Sequence, residues 1–477
     1  MPALDLGSSS NPGRHPHAGV ARLVNMYAEA AGPGGKVQLP LWAVSGLESF
    51  STLAGGGATR ALLGLDTEVL AVSNRALFRV DGSGGALLVG GIASDGHVTM
   101  AANGRSSGAQ VGIVCDGLYY IYQSGALTQI NDPDLQPPNS ICYVGGYFVL
   151  TCPSGRFYVT EIEDGSAIDG LDFAKAQSKP DGLLIGKPRG ADLILFGPKS
   201  AEIWQQTGGE DFPFGRAHTL NVGALAASAV TEASIITGES VTDTLVWAAT
   251  DAEGKYAGVC ILDGYTARKI SHFPVDRAMQ DEGSPSTITA TRWVDRGHAF
   301  VAFSGTDWTW IYDTATGFWH ERSSSLSRWR VAHCVALGGR TIAGDATQAM
   351  LYELSPEAND EAGDELVCTV QTPPVHAYPK RIEVDDITLD VIPGVGRATG
   401  AIEDVDPQVA MSWSHDGETW SNELHRSIGR QGRTGTLVIW NRLGTQTPHG
   451  RTYRFRMSAK VAKGLLQANY SGRVVSA

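Results

Sequence analysis

The chain of 477 residues has no apolar run approaching the ~18 residues of a membrane-crossing helix, so no membrane span is expected. Cysteine is scarce. The six residues, at positions 115, 142, 152, 260, 334 and 368, include no pair at metal-ligand spacing, and several sit inside apolar stretches. They are expected to be free, buried thiols of a chain folded in a reducing cytosol. The N-terminal MPALDLGSSSNPGRHPH lacks an apolar centre and is not expected to be a signal peptide. Catalytic signatures are also missing. There is no glycine-rich nucleotide loop leading into a helix, no P-loop, no H-E-x-x-H and no G-x-S-x-G. His15 and His17 lie in a proline-containing arm, and Asp132 and Asp134 read as turn residues. Asp385 and Asp386 are neighbours on a strand and point to opposite faces, so they cannot flank one glycosidic bond. No metal, no cofactor and no enzymatic activity are expected.

Acidic residues are missing from one region only. Residues 421–477 carry ten Lys and Arg against the single acid Glu423, a charge of +9. With −13 overall, residues 1–420 carry −22. The asymmetry points to two surfaces with different partners. An acidic body is unsuited to gripping nucleic acid, which needs Lys and Arg against phosphate.

What the chain does have is a repeated beat of apolar run, tight turn and aromatic-rich run. It occurs seven times between Glu68 and Leu354, with turns near Asn74, Gly117, Gly155, Ser200, Gly254, Gly305 and Asp345. The gaps are 43, 38, 45, 54, 51 and 40 residues. Propeller blades repeat at roughly 40–50 residues, each a small antiparallel sheet. Runs such as LILF (193–196) and AFVAF (299–303) are apolar on both faces, as blades packed face to face require. Trp204, Trp247, Trp308, Trp310 and Trp319 are expected to pack between blades. The fold expected is an all-β propeller of six or seven blades with a smaller C-terminal β-sandwich-like domain. The divisions expected are an N-terminal arm over 1–57, the propeller over 58–355, an acidic linker over 356–365, and the C-terminal β domain over 366–477. In the arm, the pattern over Val20 to Ala28 does not decide between a helix and an extended segment. Six strands are expected in the last domain: LVCTVQT, RIEVDDITLDV, QVAMSWS, GTLVIW, RTYRFRMS and QANYSGRVV.

Within that domain, Ser414-His415-Asp416-Gly417-Glu418-Thr419-Trp420 resembles the Asp-box of sialidase-type propellers. Ser414, Asp416, Gly417 and Trp420 are expected to make a structural turn, with the carboxylate capping it and glycine taking the strained backbone. The wider stretch 414–444 resembles the end of the tail hub proteins of short-tailed bacteriophages, also called packaged-DNA stabilisation proteins. The matching elements are Ser414–Ser421, Ile428-Gly429-Arg430-Gln431-Gly432 and Leu437–Gly444. Asn25-Met26-Tyr27-Ala28-Glu29 is similar to that family's opening. Gly197, Ser200, Glu202 and Trp204, then Phe212-Pro213-Phe214-Gly215-Arg216, resemble its middle, and Asp263-Gly264-Tyr265 to Ile270-Ser271 is similar again. Ser45-Gly46-Leu47 departs from the Pro-Gly usual there.

The resemblance implies a structural virion protein. Six copies would form a ring below the portal and its adaptor, making the channel through which DNA leaves and retaining the packaged genome. Tailspikes or fibres and a tail plug would be further partners, and DNA would pass without sequence-specific binding. The charges suit such a role: an acidic lumen repels phosphate, and a basic C-terminal unit can dock on an acidic adaptor. Arg426, Arg430, Arg433, Arg442, Arg451, Arg454 and Arg456 are the expected docking surface. The alternative is a propeller glycosidase or lectin acting on host surface glycans, favoured by the Asp-box.

Overall fold

A computed structural model describes residues 2–32, 34–105, 108–209, 212–237 and 240–475. Each beat of the sequence is the hairpin between the second and third strands of a blade. In the first blade, Glu68–Ser73 turns at Asn74 into Ala76–Asp81, flanked by Thr59–Gly64 and Ala86–Gly91. Asn74 adopts φ +51° and Gly117, at the same place in the second blade, φ +82°, the left-handed conformations that tight hairpins demand. Blades two to six begin at Val98, Ser140, Ile185, Val230 and Thr289.

The seventh blade settles the number. Its first three strands are Val331–Leu337, Arg340–Asp345 and Met350–Ser355. The fourth is Gly46–Thr52, running antiparallel to Met350–Ser355 from the other end of the chain. The ring therefore closes by pairing its two ends. Its inner strands pack one on the next in order, back to the first.

Apolar clusters fill the interfaces between blades, and the one between the sixth and seventh is continuous with the core of the C-terminal domain. Phe157, Leu195 and Trp204 pack between the third and fourth blades, and Phe196, Trp247 and Cys260 between the fourth and fifth. Trp310 and Trp319 lie between the fifth and sixth, with half-buried Trp308 against them. All six cysteines are free and buried.

The C-terminal domain is a sandwich. One sheet has the order Cys368–Gln371, Thr452–Met457, Gln408–Ser414 and Leu424–Ser427. The other runs Gly464–Val475, Arg381–Val391 and Val438–Thr445. All six expected strands are present. Leu424–Ser427 went unread, because LHRS has no apolar alternation.

Residues 1–57 and 356–365 differ from expectation. The N-terminal stretch is extended, and its strands belong to both domains. Ala3–Leu4, Met26–Ala28 and Leu41–Ala43 join the second sandwich sheet. Arg22–Val24 lies between Trp319–Glu321 of the sixth blade, which it meets in parallel, and Cys368–Gln371 of the sandwich. Blade and sandwich sheet thus become one nine-stranded sheet. The acidic stretch is a hairpin, Asp360–Glu361 with Asp364–Glu365, added to the seventh blade's sheet through Leu47. Acids in a linker are solvated. Glu361 is instead wholly buried, because a buried guanidinium faces it.

A candidate interface where propeller and sandwich meet

The segment from Arg22 to Ala28 is a seam between the two domains. Asn25 interrupts it at φ +57°, a conformation Asn tolerates better than most residues. Its side chain is fully buried. The amide nitrogen donates to the carbonyls of Ser323 (3.0 Å) and Val367 (2.9 Å), and the amide oxygen accepts from Ser323 N (2.9 Å). One side chain therefore ties the arm to the end of the sixth blade and the start of the sandwich.

Beside it, Arg322 and Glu361 form an ion pair at 2.8 Å with 1% and 0% of their side chains exposed. Ser324 Oγ donates to the second carboxylate oxygen at 2.9 Å, and Arg322 also donates to the Ser45 carbonyl at 2.7 Å. The guanidinium lies 4.3 Å over the Trp329 ring. Burying two charges is costly unless their remaining hydrogen-bonding groups are met. Most are met here, with Arg322 Nε the exception. The third polar cluster surrounds Tyr27, whose ring meets those of His298, Phe300 and His320. His298 Nδ1 is 2.7 Å from Asp313, whose hydrogen bond raises the imidazole pKa. Burial pushes the His320 pKa down to about 3 and the Tyr27 hydroxyl up to about 12.

The expected turn motif makes the bonds of a capped turn. Asp416 Oδ1 accepts from Glu418 N (2.9 Å), Thr419 N (2.7 Å) and Ser414 Oγ (2.8 Å). Ser414 Oγ in turn accepts from Gly417 N at 2.7 Å. Gly417 has φ +80°. Those donors hold the Asp416 carboxyl well below the usual carboxylate range. Trp420 is half-buried beneath the Arg454 guanidinium, 4.0 Å from its ring centre.

The seven arginines divide three ways. Arg426, Arg430, Arg433 and Arg442 are exposed at one edge of the sandwich, on Leu424–Ser427, on Val438–Thr445 and on the loop between them. Arg426 joins the two edge strands by donating to the Ile439 carbonyl at 2.8 Å, and Arg430 pairs with Asp406 at 3.3 Å. Arg454 and Arg456 face the sixth blade across a cleft of about 390 Å³, which Arg22, Trp308 and Trp420 also line. There Arg22 forks onto Glu321 and Arg456 pairs with Glu423 at 2.7 Å, while Arg454 donates to Ser412 Oγ at 3.2 Å. Arg451 does not belong to any surface. It is buried, with 4% exposed, and donates to the Leu443 and Thr445 carbonyls at 2.7 and 3.2 Å. Its charge misled because arginine at alternate strand positions reads as outward-facing, whereas here its fork holds the end of the Val438–Thr445 strand from inside. Sequence reasoning missed Arg322 and Glu361 altogether. It found Asn25 only through the opening motif.

Two family models match. "Bacteriophage P22 Gp10, beta-propeller" covers residues 20–359, and "Bacteriophage P22 Gp10, beta-sandwich" covers residues 368–471. The chain belongs to the bacteriophage P22 Gp10 family. This is a family of tail structural proteins of short-tailed phages, so the chain is a component of the virion tail. In this Gp10-family chain the first match begins at residue 20, two residues before the seam strand. Among curated proteins, none matches. Solved propellers align with it at low similarity. The WD40 propeller domain of Doa1 is 13% identical over 65% of this chain and 97% of its own, with a TM-score of 0.41. A catalytically inactive virginiamycin B lyase from Staphylococcus aureus, with quinupristin, is 10% identical over 65% and 98%, with a TM-score of 0.44.

Proposed function

We propose that this protein is the hexameric hub, or nozzle, of a short-tailed phage tail. It sits below the portal–adaptor complex, forms the DNA exit channel and helps retain the packaged genome. The observation that carries this reading is the family match across both domains, supported by the resemblances at Asn25–Glu29 and Ser414–Gly444. The build of the subunit suits it. A propeller and sandwich joined by one continuous sheet make a stiff body with several rims, and a ring of identical chains needs two different faces on each copy. The role is structural, without catalysis.

In this reading the exposed edge carrying Arg426, Arg430, Arg433 and Arg442 docks on an acidic ring above, and the acidic propeller borders the DNA path. Tailspikes or fibres and a plug would use the remaining rims. The test is the native mass of the purified chain with the portal–adaptor ring of its source. Six added copies are expected. A chain that leaves that ring bare would overturn the reading. Salt separates the docking idea from the rest: at about 0.5 M, charges are screened within a few Å, and the complex should weaken.

A further inference from the structure

The propeller's central tunnel opens into a cavity of about 440 Å³ where the inner strands begin. Blades one, two, five, six and seven contribute to its wall. Arg60 and Arg328 line it, with His97 and His333 between them. Lys187 and Arg292 lie on the inner strands either side of Val230–Thr237 and share its carboxylate Glu232, at 3.8 and 3.6 Å. The acid in the cavity wall, Asp95, is paired with Arg75 at 3.0 Å. Asp345 and Glu282, whose charges both reach Arg328, are engaged elsewhere, Asp345 by Thr347, Gln348 and Tyr352 and Glu282 by Thr287, Thr306 and Trp308. The mouth of the tunnel is therefore cationic in a chain whose net charge is −13.

The two arginines differ. Arg60 spends its N–H groups on the carbonyls of Asn74, Ser94 and Gly96 and on Cys115, so it supplies charge alone. Arg328 donates Nε to Trp329 O at 3.1 Å and one terminal nitrogen to Val331 O at 3.4 Å, which leaves the other terminal nitrogen free. No carboxylate lies within ion-pair distance of it among the described residues. Burial lowers its pKa, and burial and neighbouring cations hold His97 and His333 down to about 4. Partly desolvated cations with no carboxylate in direct contact are costly, and a bound anion reduces that cost.

We infer that the tunnel mouth is a binding site for a small phosphate-class oxyanion, with Arg328 as its donor and Arg60 and Lys187 as its supporting charges. Duplex DNA, with grooves about 12 and 6 Å wide on a much broader rod, does not fit in it. This site is independent of ring assembly and of the hub reading.

The experiment is calorimetric titration of the isolated full-length chain with inorganic phosphate, and separately with a nucleoside triphosphate. Saturable binding by wild type is expected, weakened at least about tenfold in Arg328→Gln and kept in Arg426→Gln at the sandwich edge. Tighter binding of the triphosphate would identify a phosphorylated organic ligand, and equal or weaker binding a free oxyanion. If Arg328→Gln does not fold, Lys187→Gln takes its place, with a loss of several-fold expected. Absence of saturable binding of either probe, or binding by Arg328→Gln or its replacement Lys187→Gln equal to wild type, would overturn the inference.

Discussion

The interfaces between blades and the interface between propeller and sandwich are built from different chemistry. Between the third and fourth blades the contact is Phe157, Leu195, Trp204 and their neighbours, with the Trp204 ring edge-on to Phe157 at 5.0 Å. Its strength is buried area, about 25 cal/mol per Å², and it is tolerant of shape-conserving change. At the sandwich junction the apolar cluster is larger, but it contains a buried ion pair, a buried asparagine and two buried imidazoles. Such groups add little net stability and punish every mismatch. Blade interfaces hold a ring together; the junction fixes one orientation of sandwich on ring. In the proposed ring, where each subunit presents two faces at a set angle, the second property matters more.

The comparison breaks first at its strongest points. Trp247 is fully buried between the fourth and fifth blades and donates to the Gly223 carbonyl at 3.1 Å. Trp247→Ala should cost about 3–5 kcal/mol, with hydrogen exchange rising in blades four and five. Glu361→Ala should cost about as much, ~3–5 kcal/mol, because it strands Arg322 in the interior. Its exchange should rise in residues 22–28 and 356–365 while the blades stay protected. The remedies should differ too. Glu361→Leu with Arg322→Met should recover most of the loss, as apolar replacements of buried pairs do. If Glu361→Ala instead loosened all blades equally, the junction would not be a separate unit.

Acid sharpens the contrast. His320 titrates at about 3 when folded, against about 6.5 when unfolded. The unfolded chain therefore takes up a proton first. The stability from keeping His320 neutral is complete above pH 6.5 and drains as pH falls toward 3. His298, raised by Asp313, acts oppositely: its contribution is full below about 6.5 and is lost as pH rises through its folded value. His97 and His333, at about 4, drain the propeller in the same acid window as His320 but less deeply. Exchange at residues 22–28 should therefore rise between about pH 6 and 4 before the blade hairpins open, and His320→Phe should flatten that response. Simultaneous opening of arm and blades would contradict it.

The same contrast explains what could be read from the sequence. A blade hairpin is local: seven turns, Asn74 to Asp345, announce themselves through turn-forming residues between apolar runs, several of them at positive φ. The junction is non-local. Arg322 and Glu361 are 39 residues apart, Asn25 and Ser323 298 apart, and Gly46–Thr52 meets Met350–Ser355 from the far end of the chain. Nothing in GLESFST (46–52) or in EANDEAGDE (357–365) marks a partner so distant. The propeller was legible because its period repeats, whereas the closing strand and the seam strand occur once each. Arg451 shows the limit for charge: its type suggested a surface, and only its neighbours show that its fork holds the end of the Val438–Thr445 strand.

The smallest expected effect lies in the Asp-box turn, and it bears on the alternative of a glycan-binding propeller. Asp416 is exposed, and its carboxylate is engaged by Ser414, Glu418 and Thr419 of its own turn. A carboxylate whose Oδ1 takes three bonds from its own turn is a cap. Asp416→Ala should lower thermal stability by less than either core substitution and leave hub assembly intact. Because the cap holds Asp416 ionised below the usual range, its small contribution is present above the unfolded pKa near 3.8 and fades as pH falls through the lower folded value. Trp420→Ala should do more. It removes the ring that carries Arg454 and opens the cleft beside Arg22 and Glu321, which joins the turn to the junction. Glycan-array binding that is present in the wild type and abolished by Asp416→Ala, with the fold unchanged, would move this turn from scaffold to site and reinstate the lectin reading.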